Sequence, residues 1–187
     1  MNVLLVDNGT TLQEKLKQLI PGEESVLCFD AFSEKNTEDA DVVVLSGSSL
    51  GPLYGNEEKY KAEIEFIQNT TKPIIGICFG YELIIHALGG VLKKLDEHEI
   101  GTVQIHVLKD LELFYRTPTF QAFENHRWGT GELPAEFEVL AESDHGPEVI
   151  RHKTRPIYAL QFHPENHTDT SFGDELFLNI FNRLKNL

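Results

Sequence analysis

One stretch of the sequence, from Pro73 to Gly90, brings together a strand pattern, a glycine-flanked cysteine and a helix pattern. It reads PIIGICFGYELIIHALGG. The short apolar run after the proline is typical of a buried strand, and apolar residues between Leu83 and Leu88 then recur at the spacing of one helix face. Gly89 and Gly90 end that helix pattern. The stretch therefore predicts a strand, a sharp turn and a helix, around which the rest of the chain must be arranged.

Cys78 lies on the predicted turn, with a glycine two residues away on either side. A strained turn with close backbone approach is easiest without a Cβ, which accounts for Gly76 and Gly80. The helix start beyond the turn offers unpaired N–H groups and a positive dipole end, which favour a thiolate or an oxyanion. This is the logic of the G-x-S-x-G nucleophile elbow, with sulfur in place of oxygen. The stretch alone leaves a second interpretation open, in which Cys78 is a small buried apolar residue.

The order of the patterns predicts an α/β fold. Strand and helix patterns alternate through the first ninety residues, and the strand at 41–47 is apolar on both faces, as a central parallel strand should be. Short strand patterns then follow, among them 91–95 and 100–108, and they favour antiparallel pairing before a last helix over 174–187. We predict one three-layer domain, 1–187, with a mostly parallel central sheet, helices on both faces and a smaller antiparallel region in the second half.

Composition narrows the possible functions. The net charge of −14 argues against binding to nucleic acid or to an anionic membrane, because both require a basic surface. No apolar run approaches the length of a membrane span, and the first residues do not resemble a signal peptide. Two cysteines are too few for a disulfide framework. We expect Cys28, in the apolar run SVLCF, to be a buried structural thiol, and a free Cys78 fits the reducing cytoplasm.

A second motif lies near the end of the chain, in RPIYALQFHPE, from Arg155 to Glu165. Its alternating residues predict a strand that ends at His163, and Pro164 would fix the direction of the side chains on either side. A nucleophilic cysteine requires a base that a third group orients. His163 would accept the thiol proton, and Glu165 would hold the imidazole ring. Taken singly, each residue also fits a plainer role, the histidine in a turn and the glutamate on the surface.

Together these motifs resemble the class I (triad) glutamine amidotransferases. The resemblance is carried by the GICFG turn, the HPE triplet, the Ser-Gly loop after the third predicted strand and the overall length. It implies that Cys78 attacks the side-chain amide of glutamine and that His163 and Glu165 complete the triad. It also implies that the backbone N–H groups of Gly47 and Phe79 bind the oxyanion. In an open parallel sheet, sites form at the carboxyl ends of the strands, where Gly47 and Cys78 are predicted to lie.

The same resemblance implies a set of substrate-binding positions. Four of them form the His-containing segment NHRW, and two follow the nucleophile: Gly80, Glu82, Asn125, His126, Arg127 and Trp128. Glu82 departs from the family, which commonly has glutamine at this position. A carboxylate there could pair with the α-ammonium group of glutamine or repel its α-carboxylate. Trp128, the only tryptophan, could equally serve packing alone.

We expect a glutaminase that passes ammonia to a synthetase partner. The layout is most similar to the stand-alone glutaminase subunit of GMP synthase, which would make an ATP pyrophosphatase subunit the partner. Two alternatives stay open: a stand-alone γ-glutamyl peptidase or hydrolase that uses the same triad, and a non-catalytic module that binds a glutamine-like ligand. His163 and His167 have the i, i+4 spacing of a zinc-binding helix, but Pro164 and the preceding strand pattern argue against a helix there. His98, His106, His145 and His152 show no ligand-like spacing, so we predict no metal and no other cofactor.

Overall fold

Within residues 1–168 and 170–186, which the computed structural model describes, the chain forms nine β-strands and four α-helices. The strands are β1 (Asn2–Asp7), β2 (Glu23–Cys28), β3 (Val42–Leu45), β4 (Ile74–Ile77), β5 (Val91–Val107), β6 (Thr119–Glu132), β7 (Phe137–Ser143), β8 (Gly146–His152) and β9 (Ile157–Leu160). The helices are α1 (Gln13–Leu19), α2 (Lys61–Asn69), α3 (Phe79–Ala87) and α4 (Gly173–Leu184). None of the helices in this part of the chain combines the length and the apolarity needed to cross a membrane. Leu187, the last residue of the predicted tail helix, lies outside the described residues.

All nine strands belong to one mixed sheet, in the order β2-β1-β3-β4-β9-β8-β7-β5-β6. The strands from β2 to β9 along this order pair in parallel. Those from β9 to β6 pair antiparallel. The predicted α/β class is confirmed, but the antiparallel region is not the smaller part of the sheet. It contributes as many strand pairs as the parallel region. The sequence underestimated it because β5 and β6 are long strands whose apolar pattern is weak.

Alternating side chains of the strands supply two separate hydrophobic clusters. Val3 and Leu5 of β1 belong to the cluster that contains apolar residues of α1 and α4. Leu4 and Val6 belong to the cluster that contains residues of α2 and α3. Since successive side chains of a strand point to opposite faces, this division explains why β3, with the sequence VVVL, is apolar at every position.

Two expectations from the sequence are wrong in detail. The segments 91–95 and 100–108 are not separate strands but lie in β5, which continues through a register irregularity between Lys94 and Glu99. Cys28 is exposed rather than buried. It ends β2, an edge strand whose only neighbour is β1, so that Leu27 packs against the core while Cys28 faces solvent.

The turn between β4 and α3 positions Cys78 by a strained backbone. Cys78 has φ 51° and ψ −101°, a left-handed region that residues with a Cβ rarely adopt. Its N–H donates to the Leu160 carbonyl at 2.8 Å, which holds the turn against β9. The first turn of α3 packs closely on the sheet, since the Gly80 N–H donates to the Ser46 carbonyl at 3.1 Å. The predicted strand, sharp turn and helix are thus present in that order.

We expect Gly80→Ala to destabilise the protein by about 1–3 kcal/mol, because a Cβ at this position would lie 2.8 Å from the Leu45 Cβ and collide with the Leu45 carbonyl. Chemical denaturation followed by circular dichroism measures the change. Gly129→Ala is the matched control, since the nearest atom to a Cβ there is the Leu95 Cδ2 at 3.6 Å, an ordinary contact. Equal stability of the two variants would contradict the close-packed elbow.

Candidate active site

The candidate site lies where β3, β4 and β9 end side by side. Gly47 follows β3 by two residues, Cys78 follows β4 directly, and His163 follows β9 by three residues. These strands are parallel neighbours in the sheet, so their carboxyl ends meet at one edge. A Cβ placed on Gly47 would lie 3.0 Å from the His163 Cε1 and 3.6 Å from the Cys78 Cβ. The fold therefore brings together three residues that are far apart in the sequence.

His163 is held between a thiol and a carboxylate. Its Nδ1 lies 2.8 Å from the Glu165 Oε1, and its ring lies close enough to the Cys78 thiol for each group to shift the pKa of the other. The side chain of Glu165 is inaccessible to solvent and that of His163 nearly so. Since a carboxylate only accepts, Nδ1 carries the proton of this hydrogen bond, which leaves Nε2 to exchange a proton with the sulfur. This is the arrangement of a nucleophile, a base and an orienting group.

Burial and charge act in opposite directions on this pair. Burial raises the pKa of the Cys78 thiol above its usual value, and the neighbouring His163 counteracts that effect. Burial also disfavours a charged His163, but its contacts with Cys78 and Glu165 outweigh burial and raise its pKa well above the ordinary value. A thiolate at Cys78 is thus stabilised together with an imidazolium at His163. These opposing effects therefore favour an ion pair over an isolated thiolate whenever Cys78 loses its proton.

The predicted oxyanion donors belong to the loop after β3 and to the first residue of α3. Phe79 begins α3, so its N–H is among the first N–H groups of the helix, which have no intrahelical acceptor. Gly47 lies on the loop after β3, where an added Cβ would come within 3.0 Å of the His163 Cε1 and 3.6 Å of the Cys78 Cβ. A residue with a Cβ at position 47 would press against the imidazole ring. The missing side chain lets the loop backbone approach the sulfur.

A cleft of about 340 Å³ opens above Cys78. This volume is near the lower end of the range for small-molecule sites, about 300–1,000 Å³. Its lining includes most of the residues predicted from the sequence: Cys78, Phe79, Glu82, Asn125, His126, Arg127 and Trp128. Ser48, Ser49 and His98 also line it and were not predicted. Gly80 is not in the lining, because it lies behind the cleft against β3.

A sequence profile of the family described as glutamine amidotransferase class-I matches residues 4–184. The chain belongs to this family. The match covers almost the whole chain, so that both the parallel and the antiparallel parts of the sheet lie within the family's domain.

Relatives of this amidotransferase include subunits of GMP synthase. It is 35% identical over 148 residues to one subunit of the glutamine-hydrolysing GMP synthase of Methanocaldococcus jannaschii, covering 78% of this chain and 74% of that protein. It is 40% identical over 114 residues to the corresponding subunit of Methanococcus maripaludis, covering 59% of each chain. A crystal structure described as a GMP synthase subunit of Thermoplasma acidophilum superimposes with a TM-score of 0.88 at 26% identity. The superposition covers 100% of this chain and 94% of that one.

Glu82, the departure from the family pattern, lies in the cleft of this amidotransferase with 5% of its surface exposed. Burial raises the pKa of its carboxyl group to about 8. At neutral pH the group therefore carries a proton for most of the time, and a protonated carboxyl has nearly the shape of a carboxamide, with one donor and one acceptor. The acidic residue can thus replace the usual glutamine without placing a full charge in the cleft.

The β6 strand of the amidotransferase forms the wall opposite α3. The Cys78 thiol donates to the Asn125 carbonyl at 3.8 Å, and the Asn125 side-chain oxygen lies 2.7 Å from the His98 Nε2. Trp128 meets Tyr54 edge to face, with ring centroids 5.3 Å apart. The tryptophan therefore packs and lines the cleft at once. His98 holds Asn125 from the neighbouring strand β5, a role that its position in the sequence did not indicate.

Behind the Gly47 loop lies a buried polar group that sequence analysis missed. The Asn8 N–H donates to the Ser46 hydroxyl at 2.9 Å, and that hydroxyl donates to the Gly47 carbonyl at 2.8 Å. Glu63 of α2 is 1% exposed and reaches the Asn8 side chain. Burial raises the pKa of Glu63 to about 8, and its interaction with the Asn8 side chain offsets only part of that shift. The only available signal was one acidic residue on the apolar face of a helix.

Glu63→Gln should weaken the pH dependence of stability. Between pH about 4.5 and about 8 the folded state keeps a proton on Glu63 that the unfolded state has lost, so wild-type stability falls as pH rises, by up to about 1.4 kcal/mol per unit. Urea denaturation at pH 5, 6, 7 and 8 measures this slope. Glu65→Gln, at an exposed position of the same helix, is the control and should keep the wild-type slope. An unchanged slope in Glu63→Gln would exclude a neutral Glu63.

Proposed function

We propose that this amidotransferase hydrolyses L-glutamine to glutamate and ammonia through a γ-glutamyl thioester on Cys78, and delivers the ammonia to a synthetase partner. The observation that carries the proposal is the position of His163, which lies between the Cys78 thiol and the Glu165 carboxylate below an open cleft. Membership of the class I family supports the choice of substrate.

In the first half of the proposed reaction, His163 accepts the proton of Cys78 and the sulfur forms a bond to the side-chain amide carbon. The Gly47 and Phe79 N–H groups donate to the oxygen on which negative charge develops. When the tetrahedral intermediate collapses, the C–N bond breaks and His163 gives its proton to the leaving nitrogen. Ammonia departs and a thioester remains.

In the second half, a water molecule attacks the thioester carbon while His163 accepts one of its protons. The C–S bond then breaks, the proton returns to sulfur, and glutamate leaves. Glu165 keeps its hydrogen bond to Nδ1 throughout, so the imidazole ring presents Nε2 to the sulfur and to the leaving nitrogen. Glu165 is thus a positioning residue, and Cys78 and His163 perform the chemistry.

The cleft lining supports recognition of a free amino acid. We propose that Glu82 and the segment from Asn125 to Trp128 hold the α-amino and α-carboxylate groups, with Arg127 near the carboxylate. These residues line the same cleft as the thiol. Ser48 and Ser49 add hydroxyl groups on the opposite side. Gly80 would act indirectly, by letting α3 approach β3 so that Glu82 reaches the cleft.

The names of the relatives suggest where the ammonia goes. Each relative is one subunit of a glutamine-hydrolysing GMP synthase, which implies that a further subunit exists. The partner that we propose is the ATP pyrophosphatase subunit of GMP synthase, which would place the reaction in purine biosynthesis. We also propose a cytoplasmic location, where a reactive thiol stays reduced. Residues 1–187 would form a single three-layer domain, since one sheet carries every strand of 1–168 and 170–186, with helices in both core clusters.

A second candidate is a γ-glutamyl peptidase or hydrolase with the same triad. The observation in its favour is Glu82, which changes the usual polar group of the cleft. A non-catalytic module that binds a glutamine-like ligand is the third candidate. Comparing turnover of glutamine and of γ-glutamyl dipeptides by the isolated protein and by its mixture with the pyrophosphatase subunit separates the three.

Cys78→Ala should lower glutaminase turnover by at least about 1,000-fold, because no other group can form the thioester. Release of glutamate and ammonia measures turnover, and intact-mass analysis of acid-quenched wild type should reveal the γ-glutamyl adduct. Cys28→Ala is the matched control and should keep full activity, since that thiol is exposed on the edge strand. Near-normal turnover by Cys78→Ala would remove Cys78 from the mechanism.

Glu82→Gln should improve glutamine use at alkaline pH. As pH rises through about 8, wild-type Glu82 becomes charged, which disfavours both the nearby thiolate and the substrate carboxylate. We expect KM for glutamine at pH 9 to be up to about tenfold lower in Glu82→Gln than in wild type. At pH 6.5 the two KM values should differ by less than about twofold. Parallel pH profiles would exclude a titrating Glu82 in the cleft.

A further inference from the structure

A buried carboxylate lies on the sheet next to the cleft with no lysine or arginine paired to it in the described residues. Glu124 of β6 is fully buried, and neither of its oxygens has a hydrogen-bond partner within residues 1–168 and 170–186. Over the same residues, no lysine or arginine lies within ion-pair distance of it. An ionised carboxylate costs several kcal/mol to bury, and burial together with the nearby Glu124 raises the pKa of the neighbouring Glu148 well above its ordinary value. A positive charge or a proton shared by the two acids is therefore expected here.

The groups around Glu124 are metal-ligand types drawn from neighbouring strands. Glu99 of β5 and His145 of the turn between β7 and β8 face it, and the His145 Nε2 lies 3.1 Å from the Glu99 Oε2. One ligand atom from each of the three residues lies within 4.8 Å of the others. Ligands about 2.1 Å from an ion are separated by roughly 3–4 Å, so a small contraction would complete the site. The open side of the cluster leaves room for water ligands, since Glu99 and His145 are partly exposed.

His126 gives a second, independent indication. Its Nδ1 lies 2.8 Å from the Trp128 carbonyl, which can only accept, so Nδ1 carries a proton. The buried Nε2 lies 3.4 Å from the Glu124 Oε2 and has no hydrogen-bond partner in the described part of the chain. A histidine whose other nitrogen donates to a backbone carbonyl is the usual orientation beside a metal.

We propose that Glu99, Glu124 and His145 bind a divalent transition-metal ion of the Zn²⁺ or Mn²⁺ type. Mixed imidazole and carboxylate donors suit these ions better than Mg²⁺ or Ca²⁺, which prefer oxygen alone. The ion would connect β5, β6 and the β7–β8 turn. Because Asn125 lies between Glu124 and His126 on β6, the site would also fix the strand that forms one wall of the cleft. Spacing along the sequence cannot reveal it, since each ligand comes from a different element.

The test uses the full chain without an affinity tag, in a Cys28→Ser/Cys78→Ser background so that neither thiol binds zinc. After removal of metal with a chelator, calorimetric titration with Zn²⁺ and with Mn²⁺ should show one equivalent bound, and the midpoint of thermal unfolding should rise with metal concentration. Mg²⁺ should bind at least about tenfold more weakly than the better of the two ions.

His145→Ala and Glu124→Gln should each weaken binding by about tenfold or more. His106→Ala is the matched control, because His106 is exposed on the same strand as Glu99 and outside the cluster, and it should bind as the parent does. If Glu124→Gln does not fold, the half-exposed His145 decides the question. Absence of saturable binding, or equal affinity in His145→Ala and the parent, would overturn the proposal and leave Glu124 to be compensated by the neighbouring His126 and Glu148 alone.

Discussion

The close approach of helix α3 to the sheet is the constraint on which the rest of this protein depends. A side chain at Gly76 would meet the Gly80 carbonyl and Ile84, and one at Gly80 would meet β3. With both side chains absent, the helix starts directly after β4. The chain enters it through Cys78, whose φ is positive. Cys78 accepts that strain, and its thiol projects clear of the strand end. The packing of α3 and the geometry of the candidate site therefore depend on the same two glycines.

The same packing removes the thiol from water, which sets the electrostatics of the site. A buried thiol keeps its proton unless a neighbouring group stabilises the charge, so a thiolate at Cys78 depends on His163 more than a thiolate at an exposed cysteine would. His163 in turn depends on Glu165, whose carboxylate favours the imidazolium. Cys78 and His163 follow the neighbouring parallel strands β4 and β9, so this dependence links two adjacent strands of the sheet. For this reason the GICFG turn and the HPE triplet indicate a catalytic site only when they are considered together.

Sequence patterns predicted the features that neighbouring residues of the chain determine. The glycine-flanked turn and the HPE triplet were legible because backbone strain and proline restrict the residues allowed there, whereas Cys28 was misjudged because its run is as apolar as a core strand. Only the strand order shows that β2 is an edge strand. Similarly, β5 looked like two strands since the charged residues between Lys94 and Glu99 interrupt its pattern, although pairing with β6 continues on both sides. Position within the sheet is information that no window of residues contains.

Composition does not reveal which acidic residues are buried. A net charge of −14 suggests glutamates on the surface, yet five are buried, and within residues 1–168 and 170–186 none pairs with lysine or arginine: Glu63, Glu82, Glu124, Glu148 and Glu165. Each therefore needs a proton, an imidazole or a bound cation. A lysine or arginine would keep the neighbouring carboxylate ionised, whereas buried carboxyl groups and histidines gain and lose protons near neutral pH. Because four of the five line the cleft, orient its histidine or support its walls, the chemistry of the site is coupled to pH through the fold itself.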